Sequence, residues 1–216
     1  MVRVKICGIT NWADAKRAAD AGAEMLGFNF CARSPRYISE SNAARIIGRL
    51  PKRVRAVGVF VNESPQRVLA TARRLRLAAV QLHGDETPAS ARKIAAGVAV
   101  IKAFRVRRGF RVSRLGRYTT VSAYLLDGFS PKLRGGAGRT FNWGVARAAR
   151  RFGRVILAGG LDAQNVGRAM AEARPYAVDV CSGIESRPGK KDARKMSALF
   201  RAVEQSSHKR RNPAKR

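Results

Sequence analysis

Cys7 closes a short apolar run, Val4-Lys5-Ile6, that breaks at Gly8. A thiol at the C-terminal end of a strand can be aimed into a ligand site, and neighbours can tune its ordinary pKa of ~8.5 toward a base or nucleophile. Taken alone, such a cysteine reads more often as a packed structural residue. Asp127 also ends an apolar run, Tyr124-Leu125-Leu126, in a chain poor in acids. Its plain use is a turn or helix cap. Opposite a strand-terminal cysteine, a role as one half of an acid/base pair becomes a competing reading.

Other residues sit at comparable positions. Gly159-Gly160 and Ser182-Gly183 follow two late apolar runs. Singly each is a tight turn; together they offer backbone N–H groups to an anion such as phosphate. Arg36, after Ser34-Pro35, reads as a bidentate carboxylate clamp or as a solvated loop arginine. His83, in Gln81-Leu82-His83-Gly84, reads equally as a ligand contact or a structural hydrogen bond. Cys31 and Cys181 read as packed thiols. Asp179 lies mid-strand, where a carboxylate needs a partner. Lys5, two residues before Cys7 and on its face, is the expected partner and should help set the Cys7 pKa.

The elements that must position these groups alternate along the chain. Strand-like runs fall near 2–7, 24–30, 55–61, 78–82, 98–104, 122–127, 154–158 and 176–181. Amphipathic helical patterns fall near 11–22, 40–50, 65–76, 86–96, 142–152, 162–174 and 192–205, with a weaker segment at 110–118. Asn11, Ser39, Ser64-Pro65, Thr87-Pro88, Asp162 and Asp192 supply capping or first-turn signals. Eight strands, each followed by a crossover at about 25-residue spacing, point to one α/β domain, a closed (β/α)8 barrel. Barrel closure would bring the first and last strands together, and with them Lys5 and Asp179. A doubly wound open sheet fits the alternation less well, because its edge strands would be more polar and no dinucleotide fingerprint is present. Gly135-Gly136-Ala137-Gly138-Arg139-Thr140 matches neither common phosphate-loop pattern and reads as a loop or linker. The barrel is expected over residues 1–206, and the basic stretch 207–216 as a flexible tail.

Composition narrows the classes. The 216 residues carry 44 Lys+Arg against 14 Asp+Glu, a formal charge of +30. The charges are spread over the whole chain rather than gathered in one stripe, which argues against a nucleic-acid-binding barrel as the function. A diffuse positive field does steer anionic small substrates. Three cysteines and two histidines form no disulfide framework and no metal-ligand cluster, so no metal is expected. No apolar run approaches membrane-spanning length, and the chain opens on a strand-like segment; a cytoplasmic protein, monomer or homodimer, with no membrane partner is the expectation.

Several segments in order resemble one family. KICGIT (5–10), SPRYIS (34–39), QLHGDE (81–86), LLD (125–127), GGAGRTFNW (135–143), LAGGL (157–161) and VDVCSGIE (178–185) are similar to phosphoribosylanthranilate isomerase over roughly residues 3–205. The resemblance implies a (β/α)8 barrel that performs an Amadori rearrangement of N-(5-phosphoribosyl)anthranilate without a cofactor. It further implies that Cys7 is the general base and Asp127 the general acid. Phosphate would bind at Gly160, Ser182 and Gly183, and Arg36 would lie near the anthranilate end. The acid must start protonated and the base as thiolate; apolar burial around Asp127 and positive charge around Cys7 would favour that combination. Gly128, Asn142 and Cys181 depart from residues common in the family, though none is a catalytic group. The related phosphoribosyl-amine isomerase of histidine biosynthesis is the alternative, against which Cys7 argues, since that family uses an aspartate there.

Overall fold

Short apolar runs with polar punctuation become parallel strands because each can be buried on both faces. The computed structural model describes residues 2–128 and 142–211. Eight strands form a closed barrel in chain order: β1 (Arg3–Ile6), β2 (Met25–Asn29), β3 (Arg55–Phe60), β4 (Ala79–Leu82), β5 (Val100–Val106), β6 (Ala123–Gly128), β7 (Val155–Ala158) and β8 (Ala177–Val180). Closure pairs β1 with β8, and the register sets Lys5 opposite Asp179 and Ile6 opposite Val180. The Gly135–Thr140 loop lies outside the described residues.

The crossovers are α1 (Trp12–Asp20), α2 (Glu40–Ile47), α3 (Pro65–Arg74), α4 (Pro88–Ala95), α5 (Trp143–Ala149), α6 (Val166–Ala173) and α7 (Ala193–Arg211). Asn11, Ser39, Ser64 and Thr87 each cap a helix by accepting a bond from a backbone N–H three residues on. Asp162 and Asp192 accept two backbone N–H bonds each just before α6 and within the start of α7. The weak fifth crossover is a single 3-10 segment, Val112–Arg117. Its run Val112-Ser113-Arg114-Leu115-Gly116-Arg117 offers one buried anchor, Leu115, which is too little apolar face for a full helix. The last helix continues to Arg211, past the end expected near 205. After β8 the chain also makes a small antiparallel hairpin, β9 (Glu185–Arg187) and β10 (Lys190–Lys191), that no sequence pattern announced.

Two apolar clusters divide the interior. The larger packs helices on the outer faces of the strands, with Phe28, Leu26, Leu82, Leu126 and Ile94 fully buried. The smaller, which includes Met25, Val57, Ile101, Leu125, Ile156 and Ala177, fills the barrel itself. Side chains alternate along a strand, so each inward row can be followed toward the C-terminal mouth. The rows run Ala123, Leu125, Asp127 on β6 and Ala177, Asp179, Cys181 through β8. The chemistry therefore begins where the hydrocarbon plug ends.

One buried ion pair holds the turn after β4. Lys102 Nζ lies 2.9 Å from Glu86 Oε2 and donates to the carbonyls of Leu82 and Gly84, while Glu86 accepts the N–H groups of Asn62 and Gly84. Both side chains are almost fully buried. Removing one partner strands the other, so Lys102→Met should lower the unfolding free energy by about 3 kcal/mol in urea titrations.

Candidate active site

Gly8, with a left-handed φ of +73°, ends β1 just after Cys7 and turns the chain away from the barrel axis. The Cys7 N–H still bonds Val180 O at 2.9 Å, so the thiol is fixed at the rim beside the end of β8. Below it Lys5 is fully buried, with Nζ 3.0 Å from Asp179 Oδ1. The pair expected from barrel closure forms, on one face, under the cysteine. Burial opposes the Lys5 charge, but the charges of Asp179 and Cys7 and their hydrogen bonds outweigh it and hold the ammonium above the usual lysine range. Asp179 is pushed up to about 6 by burial, against the pull of Lys5.

Gly27 on β2 makes room for this arrangement. A Cβ there would lie 2.8 Å from Cys7 Sγ and 3.0 Å from Lys5 Nζ. Only a missing side chain lets the sulfur and the ammonium occupy that space.

Cys181 corrects one expectation. It is not simply a packed thiol: it lies against Cys7, follows β8 as Cys7 follows β1, and hydrogen-bonds it. Its single proton has a second acceptor, Glu185 Oε1, at 3.7 Å. Glu185 also accepts from Arg36 and Lys191. The hydrogen bond between the two thiols is the main reason the Cys7 thiol is held well below the usual thiol range; Lys5 and Lys191 add to it, and burial opposes. Cys181, the donor, is pushed up correspondingly by its bond to Cys7 and by burial. The expected positive charge is thus present, but a neighbouring S–H leads.

Lys191, on the unforeseen hairpin, is the second buried ammonium near Cys7. Its Nζ reaches Glu185 Oε1 at 3.0 Å, Cys181 O at 3.3 Å and Cys181 Sγ at 3.6 Å. Nothing in the sequence separates it from forty-three other basic residues; only its burial does. Arg36 clamps a carboxylate bidentately, as its type suggested, and that carboxylate is Glu185 (Nε–Oε1 2.9 Å, Nη2–Oε2 2.6 Å). Burial resists the Glu185 charge, yet Arg36 and Lys191 hold its carboxyl below the usual range.

Asp127 ends the inward row of β6, with β7 and β8 between it and Cys7. Its Oδ2 lies 3.4 Å from His83 Nε2, and both side chains keep partial exposure. The carboxyl therefore faces an imidazole and not the hydrocarbon expected around it. His83 Nδ1 in turn meets Gln81 Nε2 at 2.7 Å. Gly159 and Gly160 follow β7 with φ of +91° and +65°. Gly160 borders open space, while Gly183, in the short 3-10 turn Ser182–Ile184, packs against the Leu161 carbonyl. The two glycine turns are thus side by side at the same mouth. Among the described residues no group of three His, Cys, Asp or Glu could hold a metal ion, and no helix is long and apolar enough to cross a membrane.

Comparison with known proteins agrees with this geometry. Residues 4–202 match the family model described as N-(5'phosphoribosyl)anthranilate (PRA) isomerase. An N-(5'-phosphoribosyl)anthranilate isomerase of Trichlorobacter lovleyi is 51% identical over 207 residues, covering 95% of this chain and 100% of the relative. A phosphoribosyl anthranilate isomerase solved with reduced 1-(o-carboxyphenylamino)-1-deoxyribulose 5-phosphate is similar at 42% identity and a TM-score of 0.85, over 95% of this chain and 100% of that one. Monomers made from the dimeric Thermotoga maritima enzyme match at 41% identity and a TM-score of 0.82, with the same coverage.

The Cys7 environment has a direct test. Alkylation by iodoacetamide follows the thiolate, so Cys7 should react at pH values where an ordinary thiol is inert. Cys181→Ala should move that profile upward, and Cys181→Ser, which keeps a donor, should restore most of it. Mass spectrometry of the Cys7 peptide against pH reads the change; equal profiles for all three proteins would remove Cys181 from the account.

Proposed function

Because the chain belongs to the N-(5'-phosphoribosyl)anthranilate isomerase family, we propose that Cys7 is its general base and Asp127 its general acid. The enzyme performs the Amadori rearrangement of N-(5'-phosphoribosyl)anthranilate to 1-(2-carboxyphenylamino)-1-deoxyribulose 5-phosphate, a step of tryptophan biosynthesis. The observation that carries the residue assignment is a thiol tuned toward thiolate at the end of β1, across the mouth from a carboxyl at the end of β6.

The reaction moves two protons without net gain or loss. Asp127, starting protonated, gives its proton to the furanose ring oxygen, and the C1′–O bond breaks as the nitrogen lone pair forms a protonated imine. The Cys7 thiolate then takes the C2′ proton, and the electrons of that C–H bond flow toward nitrogen to give an enolamine. Tautomerisation of the enolamine yields the ketone. A thiolate is competent here because Lys5 and Lys191 stabilise it before the reaction and need not reorganise during it.

Binding falls to the rim. Gly159, Gly160, Ser182 and Gly183 hold the phosphate through backbone N–H groups and the serine hydroxyl. Arg36 spends Nε and Nη2 on Glu185 and turns its remaining edge toward the anthranilate carboxylate. His83 borders the sugar beside Asp127. Residues 1–206 form the catalytic unit, with 207–216 outside it; the T. maritima relative is described as dimeric, and a homodimer in the cytoplasm is the proposed state of this chain.

Loss of anthranilate fluorescence follows turnover. Cys7→Ser and Asp127→Asn should each lower kcat by about 10²-fold or more, with little change in KM. Near-wild-type turnover of purified Cys7→Ser would show the base to be another group. Gly160→Asp places a carboxylate in open space beside the phosphate and should raise KM while leaving kcat within about twofold.

A further inference from the structure

Gln81 is buried at the inner wall of the barrel, 1% exposed, with an amide that the reaction scheme leaves unused. Its Nε2 lies 2.7 Å from His83 Nδ1. An amide nitrogen can only donate, so Nδ1 must accept and cannot carry a proton. The ring proton of neutral His83 then sits on Nε2, the atom 3.4 Å from Asp127 Oδ2. Gln81 Oε1 has no hydrogen-bond partner among the described residues. An apolar residue of the same shape would avoid that orphan; the amide is kept at a cost, and the Nδ1 contact is what it achieves.

We propose that Gln81 is a positioning residue that fixes the His83 ring with its Nε2–H toward Asp127. This rests on the reading of Asp127 as the general acid. The Nε2–H is aimed at Oδ2 across 3.4 Å and leaves the other carboxyl oxygen free to carry the proton it gives away. As that proton passes to the sugar, charge develops on the carboxylate and the N–H can close on it as a hydrogen bond. The other groups facing the ring are Asp127 itself and the Cys7 thiol.

The chain has two histidines, His83 and His208, so ¹⁵N imidazole spectra of the whole protein can be assigned with a His208→Asn variant. In the wild type at neutral pH, His83 Nδ1 should be unprotonated and Nε2 protonated. Gln81→Met keeps the volume and removes the donor; His83 should then show mixed tautomers or imidazolium, and kcat should fall roughly tenfold with KM nearly unchanged. In a His83→Asn background, Gln81→Met should cause little further loss, because the two residues act as one unit. A protonated Nδ1 in the wild type overturns the proposal, and so does an equal loss of kcat from Gln81→Met in both backgrounds. If Gln81→Met does not fold, the wild-type spectrum alone decides. Asp127→Asn separates the two ideas: full turnover there defeats the acid assignment, whereas the tautomer of His83 is read without activity.

Discussion

The buried Lys5–Asp179 pair is the constraint on which the site depends. A lysine ammonium taken wholly out of water is tolerated only beside an opposite charge, and the partner lies on the strand that closes the barrel. Closure and electrostatics are therefore one event: only when β8 meets β1 does Lys5 acquire its carboxylate. The same ammonium then lies under the Cys7 sulfur. Gly27 keeps the space between them free of hydrocarbon.

Around that pair the mouth divides into two halves with different surroundings. On the β1/β8 side, Cys7 is surrounded by groups that favour its anion: the S–H of Cys181, then Lys5 and Lys191. Arg36 and Glu185 complete this half by holding Lys191 and Cys181 in position. On the β4/β6 side, Asp127 meets a histidine whose own orientation is held by Gln81. The Glu86–Lys102 pair pins the turn that carries His83. On the proposed reading of Cys7 as base and Asp127 as acid, the two proton carriers thus sit in different surroundings at one mouth.

Much of this was legible in the chain. Strand-terminal placement singled out Cys7, Asp127 and the two glycine turns because inward rows alternate with period two and emerge at one mouth. The Lys5–Asp179 pair followed from face and closure alone. Cys181 was misread because a cysteine pattern carries no information about its neighbour on another strand. Lys191 was missed because one lysine among so many basic residues has no local signature, and burial belongs to the fold. Arg36 was left between a bidentate clamp and a solvated loop arginine, and the carboxylate it meets was invisible: Glu185 lies far away in sequence, and only the hairpin after β8 brings it close. The short 3-10 turn in the fifth crossover shows the reverse case, a weak apolar pattern giving a weak element.

The sequence by itself determined the eight-fold alternation, the closed barrel and the residues at the strand ends, since periodicity and capping are local properties of the chain. Tertiary structure alone decided what each of those residues is paired with: a thiol donor for Cys7, a hairpin lysine beneath Cys181, an imidazole beside Asp127. The reason is physical. Charge and proton positions depend on distances of a few ångströms between segments remote in sequence, and those distances exist only once the barrel has closed.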